Sequence, residues 1–317
     1  MNKIIKIILL LTTTFSLGLE RVIASEKIRI GLLVPLTGKN SEIGQSIVKS
    51  TRLAINKINN LSIEIIPKDT ESNPEITLKV AKELANSGVK IVIGPVFNES
   101  LVYLDELKEI IFLALTNKNN NFSKNIINSG INATSQLNAI KKFIELNELK
   151  KTIFLTPDVS FKNEIEKAIS NSKIKILENY IYNTDPTKLT KQIEKITRYE
   201  IRKQNLEDEI NRLEKSEQNN KERLIKRLKK RDTLGSVNFD SIVISDFDES
   251  LKSVTTSLLY TDISPKKKYF ITLNQWFDES LLKEISLQPL YFPSANKSNY
   301  DEFSNEYFEK YNQYPNQ

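Results

Sequence analysis

Ile28, Ile30, Leu32, Leu33 and Val34 form an apolar run of strand length, which Pro35, Thr37, Gly38, Lys39 and Asn40 end in a polar turn. Apolar positions then recur at helical spacing at Ile43, Ile47, Ala54 and Ile58. The stretch reads as a β-α unit. A continuous rather than alternating apolar strand suits a parallel sheet covered by helices on both faces, and ligands of such sheets bind at the carboxyl ends of the strands. The loop 35–44 is therefore the first place to look for function. Gly38 and Gly44 serve equally well to shape a turn and a close helix–strand contact, and their spacing fits neither a P-loop nor a dinucleotide fingerprint.

The alternation continues. Ile63, Ile65 and Ile66 make a second strand, and Pro74 opens a helix with the apolar face Ile76, Val80, Leu84 and Ala85 that Gly88 closes. Residues 90–94 are a third strand running into a loop where Asn98 can cap a helix over 101–108. Residues 110–115 form a fourth strand, ended by the polar tract from Thr116 and Asn117 to 121, and Ile126 begins a fifth. A fresh start at Lys151 repeats the pattern with a strand at 152–156, a helix at 163–170 and a strand at 174–182. Strands at 241–245 and 269–273 follow later, with Asp246-Phe247-Asp248 and Asn274-Gln275-Trp276 at their carboxyl ends. Two successive runs predict an α/β fold of two lobes, each a parallel sheet flanked by helices.

Within the second run, from Leu189, the character changes. Ile196, Tyr199, Leu206, Ile210 and Leu213 follow heptad spacing, residues 216–220 interrupt it, and Leu224, Ile225 and Leu228 continue on a second helix. This predicts an inserted helical hairpin over about 187–234, an arm roughly 40 Å long if its first helix is unbroken, with its apolar seam buried by packing of the two helices on each other or on a partner.

Composition narrows the chemistry. The chain has no Cys and no His, which excludes the usual zinc sites, thiol nucleophiles, haem attachment, disulfides and any Ser-His-Asp relay. Asp246 and Asp248 are available to a carboxylate enzyme, but acids at strand tips commonly serve as caps, so no catalytic residue, metal or cofactor is expected. The formal charge of +6 is spread among many acidic residues in a chain rich in Lys, Asn and Ile. It reads as compositional bias rather than a nucleic-acid surface. At the amino end, Lys3 and Lys6 precede a short apolar core over 4–19, and Val22-Ile23-Ala24 offers cleavage positions. Residues 1–24 are expected to be a cleaved signal, leaving an exported protein without a membrane span. With no Cys to lipidate, a lipoprotein anchor is not expected.

With these strand tips in place, the chain resembles the type I periplasmic binding proteins of the leucine-binding group. The resemblance is carried by residues 28–38 as opening strand and loop and by Ile91-Val92-Ile93-Gly94-Pro95 as the third-strand motif. Lys68-Asp69-Thr70, Gly94-Pro95-Val96-Phe97, Leu115-Thr116-Asn117, Thr156-Pro157-Asp158, the charged hairpin and Asn274-Gln275-Trp276 are most similar to the penicillin-binding protein activator branch. The resemblance implies a non-enzymatic periplasmic protein whose partner is a peptidoglycan synthase. The alternative it offers is the substrate-binding protein of an ABC importer, with a permease as partner and an amino acid or related solute in the inter-lobe cleft. It assigns residues 25–130 to the first lobe and 131–288 to the second. Residues 289–317 would return to the first lobe, with the last part of the fold missing. For the cleft it nominates Thr37, Asn98, Thr116, Asn117, Asp246, Phe247, Asn274 and Trp276. The family's clamp aromatics fall on Ile43 and Phe161 and its ammonium-binding acid on Asn274, a position for which Asp246 is the available substitute.

Overall fold

Parallel strands buried on both faces need helical cover on each side, and the computed structural model shows how this chain supplies it for residues 27–58, 62–118, 123–274 and 279–316. The described residues separate into two α/β units, one of 27–115 with 123–127 and one of 116–118 with 128–316. Residues 1–24, assigned to a signal, lie outside the described residues.

In the first unit, β1 (Ile28–Val34), α1 (Ser41–Ile58), β2 (Ile63–Asp69), α2 (Pro74–Asn86), β3 (Ile91–Ile93), β4 (Ile111–Ala114) and β5 (Ile126–Asn128) build a sheet of order β2-β1-β3-β4-β5. β1 pairs in parallel with β2 and β3, and β3 with β4. Leu33, Val92 and Phe112 of the sheet pack with Ala81 and Leu84 of α2 in one buried cluster. Asn73 caps α2 by accepting from the Glu75 and Ile76 amides, with Pro74 at the first turn. The helix expected over 101–108 is instead two 3₁₀ turns, Asn98–Leu101 and Leu104–Glu106, and Phe97 rather than Asn98 occupies the cap position of the first. Leu101, Leu104 and Leu107 are all buried, and a spacing of three is the period at which 3₁₀ side chains share a face.

In the second unit, α3 (Ala133–Leu146), β6 (Thr152–Pro157), α4 (Lys162–Ser172), β7 (Glu178–Tyr182), α5 (Pro186–Ile196), α6 (Tyr199–Glu214), α7 (Lys221–Leu228), β8 (Ser241–Ile244), α8 (Asp248–Tyr260), β9 (Tyr269–Thr272), α9 (Glu279–Lys283), β10 (Leu290–Tyr291) and α10 (Lys297–Tyr311) follow in order. The strands pair in parallel throughout as β10-β9-β8-β6-β7. Every residue of β6 and β8 is buried, which is why both read as apolar runs. Ile153, Leu155, Ile242 and Ile244 face a core closed by Leu189 and Ile193 of α5 and Leu251, Val254 and Leu258 of α8. Phe154 and Val243 face the other side, against Leu137 and Ile140 of α3 and Ile165 of α4.

Residues 289–317 were expected to return to the first lobe. Instead Leu290 and Tyr291 extend the second sheet, paired with Phe270 and Ile271. The Tyr291 ring lies 5.0 Å from that of Phe143 and 5.4 Å from that of Tyr269, so its aromatic contacts belong to the second unit.

The arm's first helix does not run unbroken. Thr197 ends α5 and Arg198, at φ 53°, starts α6 on a new axis. The 16 residues of α6 span about 24 Å rather than 40 Å. Tyr199, Leu206 and Leu213 are buried as the heptad pattern requires, and α6 and α7 contact each other. A fourth buried position of α6 is Arg202, 5% exposed. Its guanidinium donates to the Thr261 carbonyl at 3.0 Å and the Thr233 hydroxyl at 2.6 Å and stands 3.6 Å from the Asp262 carboxylate. The base of the hairpin is thereby tied to the body of the unit.

Candidate functional site

The nominated residues that are described follow the carboxyl ends of strands. In the first unit the tip of β1 is organised by Asp69, at the neighbouring end of β2. One carboxylate oxygen accepts from the Leu36 amide at 2.8 Å and the Glu71 amide at 2.9 Å, and the other from the Thr37 hydroxyl at 2.7 Å. Burial pushes this carboxyl up, but the hydrogen bonds from Thr37 and from the Glu71, Leu36 and Thr37 amides outweigh it and hold Asp69 below its ordinary range. Thr37 is therefore engaged in shaping its own loop. The loop's glycines act structurally: Gly38 sits at φ +77°, and a Cβ on Gly44 would meet the Pro35 carbonyl oxygen at 1.7 Å.

Asn98 opens the first 3₁₀ turn and is half-buried. Two residues on, the Ser100 hydroxyl is buried without a hydrogen-bond partner among the described residues. Thr116 is buried at the tip of β4, with its hydroxyl accepting from the Lys118 amide at 3.1 Å, and Asn117 is exposed.

In the second unit Asp246 lies just past β8 and is 6% exposed. One oxygen accepts from the Tyr182 phenol and from the Ser250 hydroxyl, the latter at 2.6 Å, and the other from the Phe247 amide at 2.9 Å. Because β6 lies between β7 and β8, the Tyr182–Asp246 bond bridges two strand ends across a third. Burial, together with the Asp246 charge and hydrogen bond, raises the Tyr182 phenol well above its ordinary value, so it stays a proton donor. Phe247 packs edge-on against Phe161, ring centres 5.9 Å apart, and both are half-buried. The Asn274 amide N–H donates to the Gln136 side-chain oxygen at 2.8 Å, tying the tip of β9 to α3. Trp276 lies outside the described residues.

The sequence reading thus placed Asp246 at a strand tip but missed the Tyr182 and Ser250 groups that occupy it. Ser250 is four residues on, the spacing at which a side chain on the first turn of a helix reaches back, and that signal was present. Tyr182 is 64 residues away, and only the strand order brings it to Asp246. Among the described residues no group of three or more acidic side chains is placed to hold a metal ion. A cavity of about 720 Å³ lies at the outer edge of β7 and the amino end of β6, lined by Ile153, Tyr180, Gln192, Lys195 and Phe239, and none of the nominated residues lines it. Among the described residues no helix is long and apolar enough to cross a membrane.

Solved structures share this architecture. The C-domain of LpoA (YraM) from Haemophilus influenzae, described as a regulator of PBP1A, matches with a TM-score of 0.54 at 15% identity, over 77% of this chain and 65% of that one. This chain spans 39% of full-length LpoA. A branched-chain amino acid ABC transporter periplasmic ligand-binding protein from Burkholderia xenovorans matches with a TM-score of 0.56 at 11% identity, covering 92% of this chain and 74% of that one. An ABC transporter substrate-binding protein from Desulfitobacterium hafniense gives 0.52 at 14% identity, with 92% and 79% covered. At such identities the likeness is one of fold. No curated protein matches by sequence. The model of the family described as periplasmic binding protein matches residues 27–197, more than half of the chain and ending where α6 is about to begin. The chain belongs to the periplasmic binding protein family.

Proposed function

We propose that this protein is a non-enzymatic periplasmic regulator of the penicillin-binding protein activator type, acting on a peptidoglycan synthase through its surface and its helical hairpin. The observation that carries the reading is the state of Asp246. A bound α-ammonium needs an acceptor with negative charge to spare, because burying it otherwise is costly. Asp246 already accepts from a phenol, a hydroxyl and an amide, and the neighbouring tip offers the uncharged Asn274. The hairpin, inserted between β7 and β8 and anchored through Arg202, supplies a surface beyond the two sheets.

One observation favours the second reading, an ABC importer's substrate-binding protein for amino acids or related solutes. The buried Ser100 hydroxyl, two residues from Asn98, is a first-unit strand-tip donor without a partner among the described residues. Thermal melting of residues 25–317 separates the two. No shift with millimolar free amino acids, together with binding to the periplasmic part of a peptidoglycan synthase, is expected. A selective shift with one amino-acid class, worth about 2.7 kcal/mol at 100 times the Kd, would replace the regulator reading with the importer one.

A further inference from the structure

The positive charge is not spread as composition suggested. Residues 215–231 hold eight Lys and Arg against two Glu, a surplus of six, and the formal charge of all 317 residues is +6. The rest of the chain is therefore neutral in sum, and the excess belongs to α7 and its flanks.

Lys221 donates to the Glu214 and Ser216 carbonyls at 3.3 and 3.0 Å, and Lys229 stands 3.9 Å from the Glu214 carboxylate. Arg223, Lys226, Arg227, Lys230 and Arg231 are exposed and make no ion pair or side-chain hydrogen bond among the described residues. Positions 223, 226 and 227 share one face of α7 at helical spacing, and 230 and 231 follow in the turn that ends it. Leu224, Ile225 and Leu228 are half-buried, and α7 contacts α6. The apolar side of the helix is thus used within the hairpin, and a cationic face is left outward. Helices that lie on membranes add an embedded apolar face to their charge. This one presents charge alone, which suits a hydrated acidic protein surface better than a bilayer.

We propose that the outer face of α7 and its following turn docks on an acidic face of a folded protein partner. The inference rests on the regulator reading for the partner's identity, a peptidoglycan synthase. Unpaired like charges held on one face attract an opposite surface from a distance and give binding that salt weakens.

The test uses residues 25–317 and the periplasmic part of a peptidoglycan synthase from the same cell as probe. Three forms are compared: wild type; a form with Arg223→Gln, Lys226→Gln, Arg227→Gln, Lys230→Gln and Arg231→Gln; and a form with the three arginines changed to lysine. Wild type should lose about tenfold or more in affinity between about 0.1 M and about 1 M salt, over which the Debye length falls from about 10 Å to about 3 Å. The glutamine form should bind about tenfold more weakly at the lower salt with an unchanged melting temperature, and the lysine form should keep most of the affinity. Full affinity in the glutamine form would overturn the docking face while leaving the regulator reading standing. Failure of wild type itself to bind the synthase would overturn both. Charge-dependent binding of wild type to phosphatidylglycerol vesicles, with none to the synthase, would replace the protein partner by a lipid surface.

Discussion

Asp246 and Gly44 show how single positions in this chain are constrained by groups on neighbouring elements. With the Pro35 carbonyl oxygen 1.7 Å from where a Cβ would stand, Gly44→Ala must push α1 away from the β1 loop. It is expected to cost about 2–3 kcal/mol in urea unfolding, in the range of overpacked sites. Tyr182→Phe removes one of the donors to Asp246 and should cost about 1–2 kcal/mol. The same variant has a pH signature. The native phenol is harder to ionise than that of the unfolded chain, so its contribution is complete below about pH 10 and is lost as pH rises beyond that value. The alkaline limb of the stability curve should be shallower in Tyr182→Phe. Asp69 has the opposite sign: its carboxyl is held low, so its stabilisation is present above about pH 4 and lost as pH falls. Asp69→Asn should flatten the acid limb and free Thr37, a change to be read from melting temperature between about pH 2 and pH 5.

At the scale of elements, the hairpin depends on one buried cation. Arg202 shares Thr233 and Asp262 with the segments that follow the hairpin and α8, so Arg202→Ala leaves Asp262 with Lys267 and an unfilled space at the root of α6. A loss of about 3 kcal/mol is expected from breaking such a pair. Hydrogen exchange should show the loss concentrated in α6 and α7 rather than in β6 and β8. The heptad pattern correctly marked Tyr199, Leu206 and Leu213 as the buried seam, but it had no means of showing that an arginine would join them. Arg202 is buried because two carbonyls, a hydroxyl and a carboxylate converge on it, and those come from residues 197, 261, 233 and 262. The substitution of 3₁₀ turns at 98–106 for the α-helix expected over 101–108 has a local cause, the leucines spaced by three, which a helical period of 3.6 had smoothed over.

At the scale of the molecule, residues 25–317 outside the stretch 215–231 sum to a charge of only −2, and their folding is expected to respond little to salt. The melting temperature of residues 25–317 should change little between about 0.1 M and about 1 M salt, while the α7 face responds in binding. The class of the fold and the succession of its strands and helices along the chain were legible in the sequence. Strands buried on both faces must be apolar throughout and helices on their faces must be amphipathic, so each element carries its own local mark. The expected return of residues 289–317 to the first lobe was not resolved by such marks, because a two-residue strand such as β10 is defined by its pairing with β9 and by the rings of Phe143 and Tyr269. The strand tips could likewise be located from sequence, and the nominated Asp246 is at one. Whether its carboxylate was spare or spent depended on Tyr182, set opposite by the order β8-β6-β7, and on Ser250 one turn into α8. Local patterning thus determined which elements form and in what sequence. Tertiary structure alone decided which polar groups meet, since hydrogen bonds join groups that are near in space whatever their separation along the chain.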